Sequence, residues 1–340
     1  MSSSAINESQ MVYGDMHTLY LSKQVEEGKT LYKDLQILYG PILYLTGAGL
    51  LGLGASYAGM KLFMILIAIA SGYLVFLISK KAFSGDNRIG VLSAAIYMFL
   101  PIHYGVAPIF HADSFAVLFI LISAYCLLVN KNKSLIIAAI FASFAIFTKM
   151  PAIPLTLVPM IYYIINKRKE GLFYIIPFFA IVGSTLAYIT TFAHNNDNVT
   201  VIFRYLLKDP NPPFSILQDL VWIEGLAIFV GFMGFVLYLK KNRHRSIISF
   251  MPFAAIISFG AILVRGVGIY EINYLEPFIA IFAAFAVLHL KDNWKSERTI
   301  QKLVVALIIV CIFAQCTVFV LPDRERVASW HGDRWAKEVN

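Results

Sequence analysis

The chain has 340 residues and a net charge of +8, with 59% hydrophobic and only 14% charged residues. Soluble domains contain roughly 45–50% apolar and about 25% charged residues. The composition therefore excludes a soluble globular enzyme, a disordered chain and a nucleic-acid-binding domain, and it is typical of a protein that crosses a membrane many times.

Apolar runs along the chain predict an all-α bundle of about ten transmembrane helices, since a helix needs about 20 apolar residues to cross a bilayer core. An earlier apolar run, 37–56, is shorter, rich in glycine and contains Pro41 near its start. We interpret this run as a re-entrant or interfacial helix that does not span the membrane. The predicted spans lie near 59–79, 89–107, 113–129, 134–148, 150–166, 172–193, 219–239, 246–264, 273–290 and 302–321.

Basic residues orient these spans, because Lys and Arg concentrate in cytoplasmic loops. More than half of the 28 basic residues fall in alternate connections, near positions 80–88, 131–133, 167–169, 240–245 and 291–302. The other side, which we expect to be extracytoplasmic, holds the N-terminal segment, the turns near 101–113 and 265–276, the loop 194–218 and the C-terminal tail.

This topology divides the chain into an outer-side amphipathic loop (1–36), a transmembrane domain (37–321) and a polar outer-side tail (322–340). An outer N-terminal loop requires a preceding segment that carries it across the membrane. The first ten residues are polar and lack the apolar core of a signal peptide. We therefore expect a first transmembrane helix upstream that is missing from this sequence.

Charged side chains on the outer side are candidates for a functional site, because charges at a membrane are costly unless they function or pair. Asp15 precedes a predicted helix, 16–27, and is either an N-cap or an active-site carboxylate. Asp113 opens the predicted helix 114–129, where a capping role and a role in a site are compatible, because a helix N-terminus also attracts anions and ligands. With His103 and His111 it also forms a weak pattern for zinc.

Two further outer turns contain conspicuous polar residues. Lys149 interrupts an apolar hairpin, where a lysine either extends along the membrane surface or contacts an anionic lipid or phosphate. The turn 265–277 begins with Arg265, whose guanidinium group suits phosphate. These clusters predict an outer pocket in which a basic residue holds a lipid phosphate while a carboxylate performs acid–base chemistry.

The order and sides of these motifs resemble the GT-C superfamily of integral-membrane glycosyltransferases. Within it, the chain is most similar to the family 39 group, which includes the protein O-mannosyltransferases. The residues that carry the resemblance are Asp15, Gly28, Leu31-Tyr32 and Tyr39-Gly40-Pro41, followed by Asp113, Lys149 and the turn from Gly266 to Pro277.

The resemblance implies transfer of a sugar from a polyprenyl-phosphate donor to a lipid, glycan or protein acceptor at the outer face of a cell membrane. It implies that Asp15 acts as general base or positions the acceptor hydroxyl, and that Arg265 and Lys149 hold the donor phosphate. Contacts with the acceptor or the donor headgroup are expected from Asp113, His111, Asp34, Glu271, Asn273 and Tyr274.

Other interpretations stay open at this stage. No cofactor is demanded and no set of metal ligands is defined, although a carboxylate pair such as Asp15 and Asp113 could bind Mg²⁺ or Mn²⁺. A non-catalytic membrane subunit or a degenerate paralogue would also fit, since the first helix is missing. A lipid or sugar transporter is less favoured, because transporters place charges at the membrane midplane and contain repeated halves.

Overall fold

The computed structural model describes residues 13–35, 37, 39–100, 103, 107–166, 168–192, 213–241 and 273–292. This part of the chain is helical apart from its connections, in agreement with the predicted all-α membrane bundle. The helices are α1 (Tyr13–Glu26), α2 (Pro41–Gly52), α3 (Tyr57–Ala82), α4 (Asn87–Phe99), α5 (Ala112–Val129), α6 (Asn132–Ile146), α7 (Ile153–Ile165), α8 (Leu172–Phe192), α9 (Pro213–Lys241) and α10 (Glu276–Asp292). The predicted spans 246–264 and 302–321, and the tail 322–340, lie outside the described residues.

Three segments of the described chain are long and apolar enough to cross a membrane: α3, α5 and Lys169–Tyr188, which includes most of α8. The apolar helices α2, α6 and α7 are shorter. Helix α2 has 12 residues and is about 18 Å long at 1.5 Å per residue, well below the thickness of a bilayer core. Its length agrees with the interpretation of the run 37–56 as a segment that does not span.

Helix α4 ends earlier than the sequence predicts. The apolar run 89–107 suggested a span, but the helix stops at Phe99, and Leu100 is extended with φ −60° and ψ 132°. The residue after Leu100 is Pro101, and a proline disfavours helical geometry in the residue before it. The predicted end of this helix was therefore wrong, and the residues that follow connect α4 to α5.

The helices pack in a continuous series in which α9 contacts α10, α10 contacts α4, α4 contacts α3, α3 contacts α5, α5 contacts α6, and α6 contacts α8. This arrangement gives the bundle two ends. We call the end where α4 finishes and α3, α5 and α10 begin the site face, and the opposite end the basic face. The basic face carries Lys80, Lys81, Arg88, Lys131, Lys133 and Lys291.

Helices α1 and α2 form a separate pair at the site face. They approach closely, because a Cβ atom added to Gly47 of α2 would lie 2.2 Å from the Ser22 hydroxyl of α1. Helix α2 also packs on the first turns of α3 and α5, where Leu43 joins a buried cluster with Met60 and Phe115. Helix α1, which contains Asp15, is thus linked to the bundle through α2.

Candidate active site at the start of helix α5

The site is built around Asp113, in the first turn of α5. His111, with φ −130° and ψ 147°, occupies the N-cap position, so Asp113 does not take the capping role that the sequence left open. The Asp113 side chain is fully buried. Its position is electrostatically favourable, because the partial positive charge of a helix N-terminus stabilises a nearby carboxylate.

Lys149 pairs with this buried carboxylate across the α5–α6 packing. Its Nζ atom lies 2.8 Å from Asp113 Oδ2, and its side chain is only 12% exposed. Helix α6 ends at Ile146, and the Lys149 backbone N–H donates to the carbonyl of Ala145 at 2.9 Å. The ammonium group therefore turns into the protein, instead of extending along the membrane surface.

His111 contacts the same carboxylate oxygen, with Nδ1 2.8 Å from Asp113 Oδ2. Its other ring nitrogen, Nε2, lies 3.2 Å from the Tyr39 hydroxyl. Two lone pairs at 2.8 Å would repel, so we infer that Nδ1 carries a proton and donates it to the carboxylate. The backbone N–H of Asp113 lies 3.4 Å from Nδ1, but a protonated Nδ1 has no lone pair with which to accept a hydrogen bond from it. In the neutral ring, Nε2 accepts from Tyr39.

Tyr39 and Gly40 fasten the start of α2 to this cluster. The Lys149 ammonium lies 5.6 Å from the centre of the Tyr39 ring, within range of a cation–π interaction. The Gly40 backbone N–H donates to the carbonyl of Thr148 at 3.1 Å. A Cβ atom on Gly40 would lie 1.7 Å from the carbonyl oxygen of Phe147, so only glycine permits this approach.

One oxygen of the central carboxylate is left for a ligand. Asp113 Oδ1 is buried and accepts no hydrogen bond from the residues that the structure describes. Buried polar atoms normally have a partner, in the protein or in bound water or ligand. Oδ1 is therefore suited to accept a hydrogen bond from a hydroxyl or amino group of a substrate.

The described side chains around Asp113 do not form a metal site, and the predicted pair of Asp15 and Asp113 involves the Asp15 side chain, which lies outside them. Within the described residues, no group of three or more His, Cys, Asp or Glu residues is placed to hold a metal ion. Asp113 Oδ2 already receives Lys149 and His111, and a cation at that oxygen would be repelled by the ammonium group. The zinc pattern also fails in geometry, because His103 belongs to a different cluster.

That second cluster lies at the start of α10. The His103 backbone N–H donates to Glu276 Oε1 at 2.9 Å, and the His103 ring lies 4.1 Å from the Tyr97 ring, centre to centre. Burial lowers the pKa of His103 to about 4. Asn273 and Tyr274 are buried immediately before α10, with exposures of 4% and 2%.

The other predicted site residues are placed differently. Asp15 is the third residue of α1, which begins at Tyr13, so Asp15 lies inside the first turn and not before it. Asp34 is exposed, and its Oδ2 accepts from the Thr30 backbone N–H at 2.8 Å, which closes a turn. Arg265 and Glu271 lie outside the described residues.

Sequence reasoning missed the roles of Tyr39 and Glu276. Tyr39 belongs to the Tyr39-Gly40-Pro41 motif before the non-spanning helix. Its place beside a glycine that permits close packing is the feature of the sequence that could have indicated its role. Glu276 begins an apolar span, and it is fully buried. A buried carboxylate needs a partner, which here is the backbone of the α4–α5 connection.

Residues 41–194 match the family model described as dolichyl-phosphate-mannose-protein mannosyltransferase. This segment contains the buried pair of Asp113 and Lys149. It also contains His111, which contacts the same oxygen of Asp113. No curated protein matches the chain.

Solved structures of ArnT from Cupriavidus metallidurans are similar in fold. The structure bound to undecaprenyl phosphate is 16% identical, with a TM-score of 0.62 over 86% of this chain and 58% of that chain. The apo structure is 14% identical, with a TM-score of 0.64 over 88% of this chain and again 58% of that chain. The chain thus shares its helical membrane fold with these structures, in agreement with the fold that the resemblance implied, and spans somewhat more than half of their length.

Proposed function

We propose that this protein is a membrane glycosyltransferase that moves a sugar from a polyprenyl-phosphate donor to a lipid, glycan or protein acceptor at the extracytoplasmic face. The observation that carries the proposal is the buried pair of Lys149 and Asp113 at the site face. The similarity to ArnT, one structure of which holds undecaprenyl phosphate, supports the class of donor.

The pair offers both groups that the reaction needs beside a lipid phosphate. In a water-poor site an ammonium group stabilises phosphate far more strongly than it does in water. Lys149 is therefore assigned to the donor phosphate, together with Arg265 from the turn that begins near residue 265. Asp113 Oδ1 is assigned to a hydroxyl or amino group of the sugar or acceptor.

The chemical step requires a base for the acceptor hydroxyl, and we assign it to Asp15 in α1. The acceptor oxygen attacks the anomeric carbon as its proton passes to the Asp15 carboxylate. The bond from the anomeric carbon to the phosphate oxygen breaks, and polyprenyl phosphate leaves with the negative charge held by Lys149 and Arg265. His111, Asp34, Glu271, Asn273 and Tyr274 are further candidates for contacts with the headgroup or acceptor.

The proposed orientation rests on the basic face. Lys80 and Lys81 end α3, Arg88 lies in the first turn of α4, and Lys291 lies in the last turn of α10. By the positive-inside rule this end of the bundle is cytoplasmic. The site face would then be extracytoplasmic, where a polyprenyl-linked sugar requires no nucleotide.

The experiment is a transfer assay in membranes that contain the chain, supplied in turn with radiolabelled polyprenyl-phosphate sugars. Label is followed into lipid, protein and glycan fractions, with EDTA, Mg²⁺ or Mn²⁺ in parallel reactions to measure any requirement for a divalent cation. Asp15→Asn is compared with Glu27→Gln, which removes the same charge from an exposed position near the end of α1.

We expect transfer from at least one donor, loss of more than 100-fold in Asp15→Asn, and wild-type rates in Glu27→Gln. Unchanged transfer in Asp15→Asn would reject the base assignment. An inserted protein that transfers no sugar from any donor would favour a non-catalytic subunit with a transferase fold.

A further inference from the structure

Two donors converge on a single oxygen of a fully buried carboxylate. Lys149 Nζ and His111 Nδ1 each lie 2.8 Å from Asp113 Oδ2. The Lys149 and His111 side chains are 12% and 15% exposed, so little water replaces either of them. Asp113 is therefore contacted by two donors, Lys149 and His111, whereas a carboxylate in an ordinary ion pair is contacted by one.

The contact from His111 becomes important when Lys149 binds another anion. If Lys149 binds a donor phosphate, as the proposed function requires, its hold on Asp113 weakens. A buried carboxylate that loses its last partner is strongly disfavoured. With His111 in place, the carboxylate keeps a hydrogen bond from Nδ1 while the ammonium group turns to the phosphate.

We propose that His111 is a positioning residue that keeps Asp113 paired and so releases Lys149 to bind the donor phosphate. The inference rests on the proposed function, because it assigns that phosphate to Lys149. It goes further in giving His111 a role through Asp113, without contact between His111 and the reacting atoms.

Tyr39 fixes the orientation and the protonated nitrogen of the His111 ring. Its hydroxyl lies 3.2 Å from Nε2, and in the neutral ring it donates there, which leaves the proton on Nδ1 facing Asp113. Tyr39 also lies beneath the Lys149 ammonium, with 5.6 Å between Nζ and the ring centre. Tyr39→Phe keeps the ring under the ammonium group but removes the hydroxyl, so the two contributions can be separated.

The test is direct binding of undecaprenyl phosphate to the full chain in lipid nanodiscs, with undecaprenol, which lacks the phosphate, as the reference ligand. Lys149→Ala is measured first, beside Lys61→Ala, since Lys61 likewise lies over a tyrosine ring, that of Tyr57 at 4.7 Å. We expect Lys149→Ala to bind undecaprenyl phosphate no more tightly than undecaprenol. Lys61→Ala should keep the wild-type preference for undecaprenyl phosphate. Equal preference in both variants would reject the phosphate assignment itself.

With that assignment in place, His111→Phe should bind undecaprenyl phosphate at least 10-fold more weakly, while its binding of undecaprenol stays unchanged. His111→Asn keeps a short side-chain N–H and should recover most of the affinity. Tyr39→Phe should show a smaller loss of about 3-fold. His289→Phe, the same substitution near the end of α10 at the basic face, serves as control and should bind like the wild type.

A double-mutant cycle separates positioning from a merely structural role. Asp113→Asn removes the charge that His111 is proposed to support, so His111→Phe in that background should change the affinity less than 3-fold. An equal loss in both backgrounds would overturn the proposal, as would wild-type affinity of His111→Phe alone. Either result would leave the Lys149 assignment standing.

Discussion

Each end of the bundle contains a carboxylate paired with a basic side chain, but the two pairs differ in their exposure to solvent. At the site face, Asp113 is fully buried and Lys149 is 12% exposed. At the basic face, Arg88 bridges Asp86 at 3.0 Å and Asp292 at 3.3 Å, with side-chain exposures of 59%, 29% and 52%. Both clusters pair a basic side chain with a carboxylate, but the first is buried and the second is largely open to solvent.

The difference in burial means that the two clusters differ in the free energy needed to form them. An exposed ion pair gains little, because water and salt screen it. The hydrogen bond from Arg88 lowers the pKa of Asp86, yet the main role of this aspartate is to cap α4, where Oδ1 accepts from the Arg88 backbone N–H at 2.8 Å. A buried pair carries a desolvation cost that an exposed pair avoids, and this cost is why the proposed function is assigned to the site face.

The largest effect that separates the two ends is expected from Asp113→Ala. The variant leaves the Lys149 ammonium buried without its carboxylate, which should lower the free energy of unfolding by about 3–5 kcal/mol. The measurement is denaturant or thermal unfolding in detergent. Asp113→Leu combined with Lys149→Met removes both charges and should recover most of the stability while sugar transfer stays absent. Recovery of transfer in the double variant would show that the pair is only structural.

The second effect concerns the close contact between α2 and the α6–α7 hairpin. Gly40→Ala would place a methyl group 1.7 Å from the Phe147 carbonyl oxygen, and backbone atoms cannot move aside cheaply. We expect a loss of about 3 kcal/mol and of sugar transfer, because α2 would separate from Lys149. Gly49→Ala, with open space around it, is the control and should be neutral or more stable by about 0.5–1 kcal/mol. Equal behaviour of the two variants would contradict the docking of α2.

A third effect should appear as a pH dependence at the site face. The pKa of His103 is about 4 in the folded protein, against 6.5 for an unperturbed histidine. Between these values the unfolded chain binds more protons, so stability that is complete above pH 6.5 is lost as the pH falls toward 4. From pH 7 to pH 5 the loss should be about 2 kcal/mol. His103→Phe should remove this part of the pH dependence, and an unchanged pH profile would argue against it.

The smallest effect is expected at the basic face. Arg88→Gln removes the bridge between Asp86 and Asp292, but these side chains are exposed, and Asp86 still caps α4. Unfolding and sugar transfer should both match the wild type. A loss comparable with that of Asp113→Ala would break the distinction between the two ends.

The sequence predicted the helices well where apolar runs have sharp polar limits. The run 113–129 became α5 from 112 to 129, and 59–79 became α3 from 57 to 82. The prediction failed near Pro101, where apolar residues continue although the helix stops at Phe99. Hydropathy measures how well a segment suits the membrane, and it does not report the backbone geometry that a proline imposes.

Three residues of the buried cluster could be named from the sequence, but their contacts with one another could not be predicted. Asp113, His111 and Lys149 could be named from their position at the mouths of spans, and their assigned roles remain predictions. Their convergence on one carboxylate oxygen depends on how α5 and α6 pack, across 36 residues of sequence. The same holds for Tyr39, which is 72 residues from His111 and makes contact only through the docking of α2.

The pairing of Lys149 also bears on which lipids it admits. A lysine without an internal partner at a membrane surface attracts anionic phospholipids of every kind. Here the charge of Lys149 is already balanced by Asp113, so passing headgroups experience little attraction from it at a distance. A phosphate gains this ammonium group only by entering far enough to compete with the carboxylate. On the proposed assignment of Lys149 to the donor phosphate, the pairing with Asp113 would make the site selective against the anionic phospholipids of the surrounding bilayer.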